Sequence, residues 1–325
     1  MHFTLLVAGA LVPGELAIAL TASLDIPTLT TRLSRATLVE PSAPSQRVGA
    51  HFGWLANKLF GQPEPAPTAP YAYAQLTGGA TPRFVWHADP VHMEAASDHL
   101  IVQSIGTDAP TPKESSALLA IANELALDTS CQLIDVGGRW FLLSEHDWQI
   151  DARPLAAVNQ TAVEMPGGRD AQVWTRLHNE IQMAWHAHEA NAQRETNGMR
   201  TINAIWLHGG GRWKPLPPIE FTQVQSVAPE LQGAAQAAGA RGAPAGAQVT
   251  DRALVVFDDT WVSKQCQDWS AWLRAITDLD RTLVAHSEDS IDLIFCGDTL
   301  RTFESRASDR YKPWRRRTLA QAFTE

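Results

Sequence analysis

Apolar residues recur along this chain in two different periods, and the change from one to the other marks out its elements. Short continuous apolar runs at Phe3 to Ala8, Ile202 to Leu207, Ala253 to Phe257 and Ile291 to Phe295 have the length of strands buried on both faces, as in a parallel sheet. Between the last two, Cys266 to Val284 places Trp269, Trp272, Leu273, Ile276 and Leu279 on one side of a helix. That predicts a strand-helix-strand unit of the kind that closes right-handed. A helix over 113–127 follows from the stripe Leu118, Leu119, Ile121, Ala122, Leu125 and Ala126 behind Thr111-Pro112, which supplies a cap and a first-turn proline. Cys131 to Val136 and Arg139 to Leu143 flank Gly137-Gly138 and read as an antiparallel hairpin. Trp174, Leu177, Ile181, Ala184 and Trp185 predict a helix from about Ala171 to Ala190.

Shorter helices are expected over 15–20, from Pro27 to Leu33 and from His51 to Phe60, the last ending at Gly61. The proline-rich stretch Gln62 to Pro70 reads as a connector or lid. Gly233 to Gln248, rich in alanine and glycine without a period, reads as a short helix fraying into a loop. No internal repeat is visible. The expected fold class is α/β, a mainly parallel sheet flanked by helices with an inserted α+β subdomain. The core would be discontinuous, 1–85 and 200–325, around an insertion at 86–199.

With 325 residues, 45% hydrophobic and 19% charged, the chain can bury a substantial core. A formal charge of −9 argues against nucleic-acid binding by the surface as a whole. The one local exception is the tail Lys312, Trp314, Arg315, Arg316 and Arg317, where basic residues flank an aromatic ring. A solvated basic tail is the simpler reading of it. Cys131, Cys266 and Cys296 are odd in number and widely spaced, as in a reduced, cytoplasmic protein. The first apolar run has no basic leading region and is interrupted by Pro13, Gly14 and Glu15, so it reads as a strand and not a signal peptide. No stretch reaches the roughly 18 apolar residues of a membrane span.

Candidate chemistry centres on Asn203-Ala-Ile-Trp-Leu-His-Gly-Gly-Gly-Arg212, an apolar strand running into three glycines. Gly209, Gly210 and Gly211 can take positive φ and turn their amides toward an anion, or can simply make a tight turn. Arg194 and Arg212 bracket the run and suit a phosphate or carboxylate, or else a salt bridge to Glu180, Glu189 or Glu195. Asn191 and Asn203 would hold the connection through side-chain to backbone hydrogen bonds. His178, His186 and His188 lack the i, i+4 pairing of a helical metal site. His286, Ser287 and Asp289 are neighbours in sequence without the context of a catalytic triad.

The run from Trp174 to Pro217, with Leu177-His-Asn-Glu-Ile-Gln-Met183, Asn191, Arg194 and Asn203 to Gly211, together with His87-Ala-Asp-Pro-Val-His-Met93, resembles the archaeal-type cofactor-independent phosphoglycerate mutases. It resembles the bacterial RpfE-type regulatory proteins more closely. Here His188-Glu-Ala-Asn191 stands where that family has His-Pro-Val-Asn, and His208 where a second tryptophan is common. The resemblance implies an alkaline-phosphatase-like fold. In the mutases that fold carries two metal ions and a transiently phosphorylated serine, which such chemistry cannot do without.

This chain has Val7-Ala8-Gly9 where the resemblance implies a ligand aspartate before glycine, and Gly49-Ala50-His51 where it implies the serine. Asp258, Asp259 and Asp298 stand near the remaining ligand positions without the histidines. The expectation is a catalytically degenerate, regulatory or binding protein with no catalytic residue, no metal and no cofactor, whose partner is a protein or a small anionic effector. The alternatives are an active metal-dependent mutase or phosphatase, and a nucleic-acid-associated protein using the basic tail.

Overall fold

The first apolar run forms the strand His2–Ala8 and takes the centre of a seven-stranded sheet. The computed structural model describes residues 1–39, 49–95, 99–312 and 314–325; Pro313 of the basic tail lies outside them. The chain divides into two compact units, Met1–Glu64 with Leu216–Val227 and Ala235–Glu325, and Pro65–Pro215 with Ala228–Ala234.

In the first unit the strand order is Arg241–Ala243, Gln223–Gln225, Ala253–Phe257, His2–Ala8, Ser290–Cys296, Leu300–Ser305 and Thr37–Val39. The first five are mutually parallel, and the last two are added antiparallel at one edge. Phe3, Leu5, Val7, Leu293 and Phe295 turn one face of the sheet toward helices Gly14–Thr21, Pro27–Arg35, Trp269–Leu283 and Leu319–Phe323. Trp272 fills the middle of that layer and donates its Nε1–H to the carbonyl of Gly9 at 2.9 Å. Buried Asp280 accepts from the Leu29 amide at 2.6 Å, satisfying a donor in the first turn of Pro27–Arg35. The class is α/β with a mainly parallel sheet flanked by helices.

The second unit is α+β and interrupts the first in sequence. Its sheet is antiparallel and built on the long strand Phe84–Ala95, which pairs with Arg139–Ser144, Leu100–Ser104 and Ala204–Gly211. Pro90 is tolerated where one edge of that strand passes from one partner to the next. Helices Pro112–Leu125 and Ala171–His186 cover one face through Leu118, Ala122, Leu177 and Ile181. Two tryptophans of this layer carry their polar atoms to acceptors, Trp140 to Ser115 Oγ at 3.1 Å and Trp185 to the Leu118 carbonyl at 3.0 Å. Ala69–Thr77 covers Val85 and Phe141 on the other face.

Several expectations are corrected. The run expected at Ile202 to Leu207 is Ala204–Gly211, an antiparallel strand of the second unit, and that pairing carries this unit out to Pro65–Pro215, past 86–199. The helix expected to Ala190 stops at His186, and Glu189–Thr196 restarts because His188 Nδ1 caps it by accepting from Ala190 N at 3.1 Å. Trp269–Leu283 starts later than Cys266 because Asp268 caps it, its carboxylate accepting from Ala271 N at 2.9 Å. Gly233 to Gln248 holds the end of helix Pro229–Ala237 and the parallel strand Arg241–Ala243. His51 to Phe60 changes at Ala56 from an α-helix to a wider π-turn. Among the described residues no helix is long and apolar enough to cross a membrane.

His178, on the inner face of Ala171–His186, is 1% exposed with both ring nitrogens unpartnered and its ring 5.5 Å from that of Trp174. Burial lowers its pKa from 6.5 to about 4. The folded protein therefore binds fewer protons at this group than the unfolded chain, and stability is lost as pH falls from the ordinary value toward the folded one. The expected loss approaches about 1.4 kcal/mol per pH unit inside that window. In urea unfolding at pH 7, 6 and 5, His178→Leu should show a shallower pH dependence than the wild type; identical slopes would contradict this.

Candidate functional site

The three glycines lie inside a strand. Within the pairing of Ala204–Gly211 with Phe84–Ala95, His87 faces His208 and Val85 faces Gly211, with a register shift between. Two steps along one strand thus span three along the other, so the glycine strand carries one extra residue. That is a β-bulge, and Gly209 at φ 60° has the left-handed conformation its first residue requires. Gly210 and Gly211 do not have positive φ, so the expected succession of anion-facing amides is not formed. Each glycine instead admits a covering group: a Cβ on Gly209 would collide with Thr68 Oγ1, one on Gly210 with the indole of Trp86, and one on Gly211 would lie 2.6 Å from Pro67 Cβ. The glycines are required by what lies on them.

The bulge brings together groups from both segments that carry the resemblance. His208 donates Nε2–H to Asp89 Oδ2 at 2.8 Å, and its ring stacks on that of His87 at 4.6 Å. The other ring nitrogen, Nδ1, is buried and without a partner. Burial, with the adjacent His208, lowers His87 to about 3, so it is neutral at physiological pH. Burial raises the Asp89 carboxyl, but the hydrogen bond and fields of His208, His87 and Arg139 outweigh it and the net shift is downward. The result is a carboxylate-oriented imidazole stacked on a neutral one. Reading the sequence singled out His208 only as a departure from the family; that the two matching segments both carry histidine was the available signal.

The other expected site residues are structural in their contacts. Asn191, 2% exposed, donates to the carbonyls of Trp185 and Ile202 at 2.9 Å each and accepts from Ile202 N at 2.8 Å. Asn203 bonds both backbone groups of Met93, at 2.7 and 2.9 Å. Arg194, 1% exposed, pairs with Glu114 at 3.1 Å, donates Nε–H to the Arg200 carbonyl at 2.7 Å and also bonds the Asp108 carbonyl. Its expected availability to an anion is corrected: every nitrogen of the guanidinium is committed, and to Glu114, not to Glu180, Glu189 or Glu195. Arg212 is exposed, with Cζ 4.2 Å from the centre of the Phe84 ring.

In the first unit, the carboxyl ends of the parallel strands are where open α/β sheets place ligands. Buried Ala8 and Ala50 stand there, and the Ala50 amide donates to the Gly297 carbonyl at 3.0 Å. Lys264 reaches across to the Leu11 carbonyl at 2.8 Å and to Glu325 Oε1 at 2.5 Å, and the Asp298 amide donates to the same carboxylate at 3.2 Å. His51 is enclosed between Phe52 and Trp261, its Nδ1 without a partner; burial and then the Lys264 charge lower it to about 3. Asp258 and Asp259 begin helix Asp259–Gln265, and among the described residues no three His, Cys, Asp or Glu are grouped as a metal requires. In the basic tail, Arg315 bonds Thr37 Oγ1 at 2.7 Å, Arg317 bonds the Leu33 carbonyl at 3.0 Å, and Lys312 pairs with Asp309 at 2.6 Å. Trp314 is 73% exposed.

No family model and no curated protein sequence matches this chain. Among solved structures, the PH0037 protein from Pyrococcus horikoshii is 12% identical with a TM-score of 0.60, over 99% of this chain and 92% of that one. A cofactor-independent phosphoglycerate mutase from Thermoplasma acidophilum is 14% identical with a TM-score of 0.46, over 99% and 94%. The first likeness shows a shared fold along nearly the whole chain and nothing of its chemistry. The fold class expected from the sequence, a mainly parallel sheet flanked by helices with an α+β insertion, is the one observed.

Arg194→Met should cost about 2–3 kcal/mol, because it leaves the Arg200 and Asp108 carbonyls without their buried donor and removes the cation from Glu114. Arg212→Ala should cost under about 1 kcal/mol, the scale of an exposed cation–π contact. Gly210→Val should cost about 1–3 kcal/mol by displacing Trp86. Urea unfolding of the three variants checks the order; an Arg194 variant as stable as the wild type would show its bonds to be unimportant.

Proposed function

We propose that this chain is a catalytically degenerate phosphoglycerate-mutase-like protein, cytoplasmic, which acts by binding a protein partner or a small anionic effector and does not transfer phosphoryl groups. The observation that carries the reading is the Lys264 ammonium, held between the Leu11 carbonyl and Glu325 at the carboxyl ends of the parallel strands. Divalent ions in a two-metal site need several anionic or neutral donors converging on empty space. Here a fixed cation already satisfies the available carboxylate, and its field extends to His51 and to buried Cys296.

Ala50 supports the same reading. It offers no nucleophile, and the ring of its neighbour His51 is packed against Phe52 and Trp261. Losing a nucleophile from a catalytic set costs several orders of magnitude in rate. The regulatory role comes from the resemblance of the Trp174 to Pro217 segment, and the free cysteines Cys131, Cys266 and Cys296 fit a reducing compartment.

Purified protein supplied with manganese, magnesium, cobalt or zinc should not interconvert 3- and 2-phosphoglycerate. None of the four metals should raise its melting temperature, whereas a ligand at a hundred times its Kd would add about 2.7 kcal/mol. Metal-dependent turnover lost on Asp258→Asn or Asp298→Asn would overturn the reading.

A further inference from the structure

The last three carbonyls of helix Pro27–Arg35 take their donors from the basic tail. Arg317 Nη1 donates to Leu33 at 3.0 Å, the Arg317 amide to Ser34 at 3.2 Å and Arg315 Nη1 to Arg35 at 3.2 Å. Helix ends leave such carbonyls open, and basic side chains suit them, so Arg315 and Arg317 anchor the tail, which is fixed and not merely solvated. The anchored segment alternates. Arg315 and Arg317 are half-buried, whereas Trp314 and Arg316 are exposed, and among the described residues Arg316 makes no hydrogen bond or ion pair. Arg301, bonded to the Gln321 carbonyl at 2.8 Å, adds a further guanidinium. Burial, and then the charges of Arg301 and Arg315, push Arg317 below its ordinary pKa. None of these four arginines pairs with a carboxylate among the described residues, so the patch stays positive in a chain of formal charge −9.

We infer that this patch binds single-stranded nucleic acid, with a base stacked on Trp314 and phosphates on Arg316 and its neighbours. The patch offers two things at once, an exposed indole face and guanidinium forks that no carboxylate neutralises. An acidic peptide occupies the guanidiniums and leaves the indole in water. A duplex presents phosphates, but its base faces are already stacked on one another. An anionic lipid surface is held by an apolar helix face, and here one ring projects from a non-helical segment. A single strand carries phosphates and free base faces on one flexible backbone; the guanidinium fork matches phosphate, and any base can stack on an aromatic ring. The net negative charge of the rest of the chain confines the contact to this patch. The inference is independent of the reading given for the strand ends of the first unit, because neither Lys264 nor Ala50 takes part.

The test is fluorescence anisotropy of a labelled oligothymidylate of about twelve nucleotides titrated with the full chain. Saturable binding is expected, weakening as salt rises from about 50 to 200 mM. Trp314→Ala should raise Kd about tenfold, and Trp314→Phe, which keeps a ring, should recover most of that loss. Arg316→Ala should raise Kd and flatten the plot of log Kd against log salt by about 0.7, the share of one phosphate. Both side chains are exposed, so these variants fold, which urea unfolding checks. No binding at the lower salt concentration overturns the inference, as does equal affinity for a duplex of the same length, tighter binding of polyglutamate or of phosphatidylserine vesicles, or an affinity that Trp314→Ala leaves unchanged.

Discussion

Phe84–Ala95 is longer than any of its partners, and the second unit is organised by the need to pair its backbone. Buried N–H and C=O groups must find hydrogen bonds, and this strand finds them in three places, with Arg139–Ser144 at its start, Leu100–Ser104 at its end and Ala204–Gly211 along its other edge. Asn203 extends the last of these by bonding both backbone groups of Met93 where the ladder stops. The bulge at Gly209 is the adjustment that lets the pairing continue past His208. Because the extra residue turns the strand there, Thr68, Trp86 and Pro67 can lie directly on its backbone. A side chain at any of the three glycines would force one of those covers away. The strand pairing and the proline-rich chain that lies on the glycines through Pro67 and Thr68 are therefore one mechanical arrangement.

Where burial is one-sided and local, the sequence was a good guide. Pro112–Leu125 begins at a capping box in which Thr111 and Glu114 exchange hydrogen bonds, and Trp269–Leu283 keeps one apolar face throughout. Both are set by contacts within a few residues, the range over which periodicity and caps operate. The apolar run from Ile202 was harder, because a strand buried on both faces has the same composition whether its neighbours are parallel or antiparallel. Phe84–Ala95 escaped notice for the opposite reason: His87, Asp89, Pro90 and His92 break any period, and its regularity comes from partners distant in sequence. The partner of Arg194 is hidden for the same reason. Arg194 was read against glutamates nearby in sequence, but its carboxylate is Glu114, eighty residues upstream.

The two units treat buried histidine alike. His51, His87 and His178 are all held far below their ordinary pKa by burial, which makes each a neutral aromatic spacer at physiological pH. His208 differs because Asp89 offers it a carboxylate. The Asp89 carboxylate holds Nε2 and orients the ring, while Nδ1 stays buried without a partner. The same pair ties the two segments that carry the family resemblance, so those residues serve the sheet whatever else they do.

Lys264 gives a physical account of how the acceptors at the strand ends of the first unit are held together. Carbonyls and carboxylates that converge at the ends of parallel strands repel one another unless a cation lies among them. A lysine from the neighbouring helix Asp259–Gln265 provides that charge internally, bound to the Leu11 carbonyl and to Glu325. An ammonium can hold these acceptors together but, unlike a metal ion, cannot act as a Lewis acid or lower the pKa of a bound water.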